Sequence, residues 1–158
     1  DVLRRVDWTT VFFFVGLFVI VGALDESGFL KKMGDYFVGV TGGSIKKSVY
    51  VILGGSAAAS AVVDNIPFVA TMIPTLKAME EALGGREAMM PVWWALSLGA
   101  CLGGNGTLIG ASANVIVAGI AAREGHPISF LRFLIWSVPV MLLSVAMAGV
   151  FLYLEYFI

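Results

Sequence analysis

The chemistry in this chain is confined to two short polar interruptions of otherwise apolar sequence. Asp64 is the only charged residue between Lys47 and Lys77, and it sits in Asp64-Asn65-Ile66-Pro67 between SVYVILGGSAAASAVV and FVATMIPTL. A lone carboxylate at the centre of a lipid-embedded helix costs about 2.5 kcal/mol or more, and such residues mark ion sites and pathways. Pro67 has no amide hydrogen and disfavours helix just before it, so the backbone is expected to break at Asn65–Ile66. The second interruption, Gly103-Gly104-Asn105-Gly106-Thr107-Leu108-Ile109-Gly110, lies inside the uncharged run Ala88–Ala122. Each of its glycines opposes helix by about 1 kcal/mol relative to alanine. Candidate oxygen ligands are Asp64, Asn65, Asn105, Thr107, Ser112 and Asn114, with backbone from Gly103 to Gly106. Pro67, Gly104 and Gly106 complete the candidate site by shaping and lining the breaks. Sodium and other hard cations take such oxygens, whereas an anion would take the free amides and partial positive charge at helix N-termini. Na+ at Asp64, Asn65, Asn105 and Thr107 is the metal expectation.

Each of these residues also has a plainer use. Asp64 can cap the helix that follows it, and Asn65 can satisfy local backbone. Asn105 can serve as a turn residue among glycines. Ser112 and Asn114 can join helices by hydrogen bonds. His126, in the turn Gly125-His126-Pro127, reads as a surface residue. Cys101 lies between Ala100 and Leu102 and is expected to be a small buried residue. As the only cysteine, it excludes an intrachain disulfide and leaves no thiolate metal cage.

The elements that position these residues follow from the runs around them. Hydrophobic residues make up 59% of the chain and charged residues 13%, with mean hydropathy +0.93. A soluble domain is about 45–50% apolar and about 25% charged, so the composition is that of an integral, multi-pass membrane protein. Trp8–Leu24 has the length of a tilted span, with Arg4, Arg5 and Trp8 as an interfacial anchor. It ends in a turn at Asp25-Glu26-Ser27-Gly28. Residues 29–45 mix Lys31, Lys32 and Asp35 with apolar side chains, which suits an amphipathic helix in the interface. Residues 48–76 are divided by Asp64–Pro67 into halves too short to cross a core about 30 Å thick at 1.5 Å per residue. Two helices folded back as a re-entrant hairpin fit better, and the small residues from Gly54 to Ala61 permit close helix approach. Residues 90–122 read as a helix broken at the glycine-rich segment, with helix from Pro91 to Leu102 and again from about Ile109. Residues 133–154 form a final span in which Pro139 can introduce a kink. The fold class is therefore all-α and integral to the membrane. The chain opens at Asp1 without a signal peptide and reads as the later part of a longer membrane protein.

Several functions fall away. Net charge is −1 and no basic cluster offers a nucleic-acid face. No Lys-Ser or Lys-Thr follows the glycines as a phosphate loop requires. An intramembrane aspartyl protease needs two carboxylates and a metalloprotease a histidine pair; neither set is present, so no enzyme is expected. A passive channel needs a continuous polar lining rather than two compact interruptions. A hairpin tip and an unwound helix in one chain are what secondary transporters use to build a site at the bilayer midplane. Counting lysines and arginines on either side slightly favours the hairpin opening toward the cytoplasm.

LGGNGTLIGASANVIVAGIA (Leu102–Ala121), preceded by VVDNIPFVATMIP (Val62–Pro74), resembles the ion transporter superfamily with its citrate-transporter-like domain. The likeness is closest to the branch holding the pigment-cell P protein, arsenite permeases and NhaD-type sodium/proton antiporters. It covers essentially the whole chain as the second of two inverted halves. The resemblance implies a hairpin with its tip at Asp64–Pro67, opening to the outside, and a helix broken around Gly103–Gly110 that meets it at the ion site. It further implies secondary active transport of an inorganic ion, by Na+/H+ antiport or by export of arsenite or another anion. Na+ or H+ would be the coupling ion, with no other cofactor. The expected partners are the lipid bilayer, the N-terminal half of the same polypeptide and a second copy in a homodimer, in the plasma (inner) membrane of a prokaryote. Dicarboxylate-carrying relatives have Ser-Asn-Thr at the tip, where this chain has Asp-Asn-Ile-Pro; a dianion would be repelled by Asp64 unless the carboxylate is protonated or paired with a cation.

Overall fold

The computed structural model describes residues 8–158, without the side chains of Thr9 and Thr10, so the anchor expected at Arg4 and Arg5 lies outside the described residues. Every regular element among the described residues is helical: α1 (Trp8–Glu26), α2 (Phe29–Thr41), α3 (Ile45–Ser60), α4 (Asn65–Met79), α5 (Met90–Gly103), a short 3-10 turn (Gly104–Gly106), α6 (Ser112–Arg123) and α7 (Phe130–Phe157).

Helix α7 is 28 residues long, about 42 Å at 1.5 Å per residue, enough to cross a hydrocarbon core about 30 Å thick. It is the one single helix among the described residues both long and apolar enough to do so. Pro139 lies inside it without ending it. The α1–α2 pair is bent by 67° at Ser27–Gly28 and passes the same test only if taken as one span. Helix α1 runs through Asp25 and Glu26, beyond the turn expected there, and the bend falls at Gly28 with φ 72°.

The chain is held together by backbones that approach unusually closely. Helix α5 presents Gly99 and Gly103, one turn apart, to α3. A β-carbon built on Gly99 would lie 2.5 Å from the Leu53 carbonyl oxygen, and one on Gly103 would lie 2.5 Å from the Ala57 Cα. Without a hydrophobic drive between helices in lipid, packing at this range and interhelical hydrogen bonds supply the attraction. The fully buried Ser60 hydroxyl donates to the Ala100 carbonyl at 2.6 Å across the same seam. Ser56 is also buried there, its Oγ without a hydrogen-bond partner. Val49, Ile52 and Leu53 of α3, Leu76 and Met79 of α4, Val92 and Leu96 of α5, and Leu152 of α7 form the core beside the seam.

Helix α2 is docked onto α4 rather than standing free. Leu30, Gly34 and Thr41 are buried, and a β-carbon on Gly34 would come within 3.0 Å of the Thr75 carbonyl oxygen. Ser48 donates to Thr41 at 3.1 Å, and Thr41 donates to the Phe37 carbonyl at 2.9 Å, so the α2–α3 turn buries no unpaired hydroxyl. Lys46 sits over the Tyr153 ring at 4.4 Å, which joins the start of α3 to the end of α7.

Candidate functional site

The first break is shorter than Pro67 suggested. Helix α3 ends at Ser60, and the amides of Val62 and Val63 still donate to the Ala59 carbonyl. Asp64 then leaves helical geometry with φ −50° and ψ 139°, and α4 begins at Asn65. Asn65 and Ile66 therefore lie in the first helical turn, not in an unwound stretch. Pro67 is tolerated there because first-turn amides have no intrahelical partner to lose. Asp64 is the N-cap, its Oδ1 accepting from the Ile66 amide at 3.2 Å.

The second break lies between α5 and α6. Helix continues through Gly103 into the turn Gly104–Gly106, the backbone is extended at Thr107 and Ala111, and α6 starts at Ser112, three residues later than the glycine pattern indicated. Side chains hold this segment in place. The Thr107 hydroxyl donates to the Ala61 carbonyl and accepts from the Gly110 amide at 3.0 Å. Asn114 spends both amide hydrogens on it, to the Gly104 carbonyl at 3.1 Å and the Thr107 carbonyl at 3.0 Å. Ser137, reaching in from α7, donates to the Gly106 carbonyl at 2.8 Å. Gly110 packs so tightly that a β-carbon there would lie 2.7 Å from the Gly104 carbonyl oxygen and 3.0 Å from those of Ser60 and Ala61.

The two breaks meet at Asp64. Its Oδ2 accepts from Ser112 Oγ at 2.6 Å, the short distance typical of a hydroxyl donating to a carboxylate. Ser112 opens α6, whose N-cap Ala111 offers no capping side chain. One carboxylate thus serves two helix starts, capping α4 with one oxygen and meeting the first residue of α6 with the other.

The remaining candidates are dispersed. Asn65, one residue from Asp64, lines a cavity of about 650 Å3 between α4 and α5. Asn105 and Asn114 line a different cavity, of about 510 Å3, against Arg132, Trp136 and Ser137 of α7. Thr107 is committed to Ala61 and Gly110. Among the described residues no three His, Cys, Asp or Glu side chains cluster as a metal site. The oxygens that do converge are those of Asp64 and Ser112, with the Thr107–Ala61 pair linking the same two segments. Cys101 is exposed and lines the α4–α5 cavity, because the opposite face of α5 carries the glycine seam. Sequence reasoning missed Ser60 and Ser137, single hydroxyls with no local pattern, and the Gly99–Gly103 pair, whose four-residue spacing was legible.

The described residues thus form an all-helical protein in which two helix interruptions meet at Asp64 beside a 28-residue apolar helix long enough to span a bilayer. Residues 1–99 match the citrate transporter family CitMHS, and the chain belongs to that family. It is 45% identical over its whole length to an uncharacterized transporter of Mycobacterium tuberculosis, covering 37% of that protein. It is 39% identical to an uncharacterized transporter of Synechocystis, with 96% of this chain and 37% of the relative aligned. Against the P protein of Mus musculus the figure is 43% over 152 residues, 90% of this chain and 18% of the relative. The chain thus spans little more than a third of the bacterial relatives it matches. No solved structure matches it.

Proposed function

We propose that the chain is one inverted-repeat half of a secondary active transporter that moves an inorganic ion and couples its movement to a Na+ or H+ gradient. In this reading α3 and α4 form a re-entrant hairpin with its tip at Asp64, and α5 and α6 are two parts of a discontinuous transmembrane helix. The other half of the polypeptide completes the site, and two copies assemble as a homodimer in the plasma membrane. Asp64 ligates Na+ or takes the proton, Ser112 adds an oxygen and Thr107 holds the two segments in register, while Asn65, Asn105 and Asn114 line the approaches. Hairpin and broken helix move together against the scaffold, which gives alternating access.

The 2.6 Å contact between Ser112 and Asp64 carries this reading. Capping α4 needs only one oxygen of the carboxylate, and a serine or asparagine could do that without a charge. The second oxygen faces the other broken element, where a hard cation or a proton would bridge the two. Membership in a citrate transporter family favours a carboxylate anion as the second reading, in which a cation bound at Asp64 would offset repulsion of the anion.

The test is flux by the full-length protein in proteoliposomes, with imposed pH and sodium gradients and a panel of inorganic ions and citrate. Wild type should show saturable, gradient-coupled flux, and Asp64→Asn should lose its dependence on the coupling ion. Unchanged rate and unchanged pH and sodium dependence in Asp64→Asn would overturn the coupling role.

A further inference from the structure

The cavity of about 510 Å3 beside the second break holds groups that the contact at Asp64 does not use. One wall carries Asn105 and Asn114, and the other follows successive turns of α7 through Arg132, Trp136 and Val140. Asp64 meets Ser112 where the broken segment faces α3 and α4. The cavity lies where the same segment meets α7, through the Ser137 hydroxyl on the Gly106 carbonyl at 2.8 Å. Backbone acceptors on this side are already occupied. The Gly104 and Thr107 carbonyls take the two amide hydrogens of Asn114, and the Gly106 carbonyl takes the Ser137 hydroxyl. The donors remain free: the Arg132 guanidinium and the Asn105 side-chain amide are exposed, and neither has a hydrogen bond or ion pair among the described residues.

We infer that this cavity binds a small soluble oxyanion, of carboxylate or phosphate type, on the Arg132 guanidinium with a further hydrogen bond from Asn105. Arg132 is the one charged residue that lines it. The surrounding sequence has the same sign: between Glu87 and Glu155 the chain carries one acidic residue, Glu124, against Arg123 and Arg132, and His126 adds positive charge when protonated. Arg132 also stands in the first turn of α7, whose N-cap Ser129 accepts from its amide. A helix start already carries partial positive charge, so a cation there is disfavoured until an anion joins it. The planar guanidinium presents paired N–H donors that match two oxygens of a carboxylate or phosphate, which a halide lacks. A metal ion would meet a like charge and carbonyls that are already occupied. Anchoring α7 at a membrane surface would need Arg132 alone, and would leave its convergence with Asn105 on one cavity without a use. The inference goes beyond the ion site at Asp64 and does not depend on what that carboxylate binds.

The full-length protein in mild detergent, at constant ionic strength, sodium and pH, would be titrated with citrate, phosphate or chloride, and binding followed by calorimetry. Citrate or phosphate should bind saturably, about tenfold or more tighter than chloride. Arg132→Gln should weaken that binding about tenfold or more, and Asn105→Ala about threefold. Arg132→Lys keeps the charge but loses the paired donors, and should fall between wild type and Arg132→Gln. Arg123→Gln, outside the cavity lining, should stay within about twofold of wild type. Trp136 lines the cavity, so the bound oxyanion should change a fluorescence signal that Trp136→Phe abolishes. Binding that Arg132→Gln leaves unchanged would overturn the inference, as would chloride binding as tightly as either oxyanion. Saturable binding of neither oxyanion would also overturn it, and is the result expected if a carboxylate of the longer polypeptide already sits on Arg132. Titration with phosphatidylglycerol separates a lipid headgroup from a soluble anion: lipid binding lost in Arg132→Gln, with neither citrate nor phosphate bound by wild type, would give the arginine to the headgroup. Arg132 and Asn105 are exposed, so their substitutions leave the helix core intact.

Discussion

Replacing Gly103 by alanine adds one methyl group where the structure has no room for it. The new carbon would sit 2.5 Å from the Ala57 Cα and closer still to the Ala57 carbonyl oxygen. Both are backbone atoms of α3, so no side chain can rotate away, and ordinary contact requires the helices to part by about 1 Å. Parting would strain the Ser60–Ala100 hydrogen bond on the next turn and loosen the Thr107–Ala61 link beyond it. Overpacking of this kind costs about 1–3 kcal/mol, and the gain from exchanging glycine for alanine in a helix, about 1 kcal/mol, offsets only part of it. A net loss of about 1 kcal/mol corresponds to roughly 2–4 °C in melting temperature. Gly119 in α6 has nothing within 4 Å of its β-carbon position, so Gly119→Ala is the matched control and should be neutral or slightly stabilising. Thermal unfolding of the full-length protein in detergent, followed by loss of the monodisperse peak in size-exclusion chromatography, measures both. If Gly103→Ala melts within 1 °C of Gly119→Ala, the close α3–α5 approach does not exist as drawn.

Ser112→Ala should weaken the apparent affinity for the coupling ion about 3–10-fold while leaving the melting temperature unchanged, because the lost hydroxyl is exposed and donates to a carboxylate; flux against coupling-ion concentration checks it. Asn114→Leu removes the two hydrogen bonds that hold the Gly104 and Thr107 carbonyls, and hydrogen exchange over residues 104–111 should speed up about tenfold or more. Ser60→Ala should cost about 1 kcal/mol, since a buried acceptor at Ala100 loses its side-chain donor; unfolding in denaturant measures it, and no change would show that the bond contributes nothing.

Much of the candidate site was legible residue by residue, but its connections were not. The acidic tip and the glycine-rich break were visible because their signals are local: a carboxylate among apolar residues, a proline, and four glycines in eight positions. Which polar residues would meet was not local. Asn65 is next to Asp64 in sequence, yet successive helix positions turn by about 100°, and Asn65 faces the α4–α5 groove instead of the second break. Ser112, 48 residues away, supplies the contact.

The sequence by itself determined that the chain is apolar enough for a bilayer, where its helices are interrupted, and that a single carboxylate stands at one interruption. Those properties follow from hydration cost and backbone propensity, which each segment carries with it. Tertiary structure decided which interruptions touch. Helix α3 can lie against α5 only where Gly99 and Gly103 admit its backbone, and that registration brings Ala61 to Thr107 and Asp64 to Ser112. It also turns Cys101 out to a groove where its neighbours in sequence suggested burial. The depth of one helix on another is a property of the pair, fixed by sterics between segments far apart in the chain.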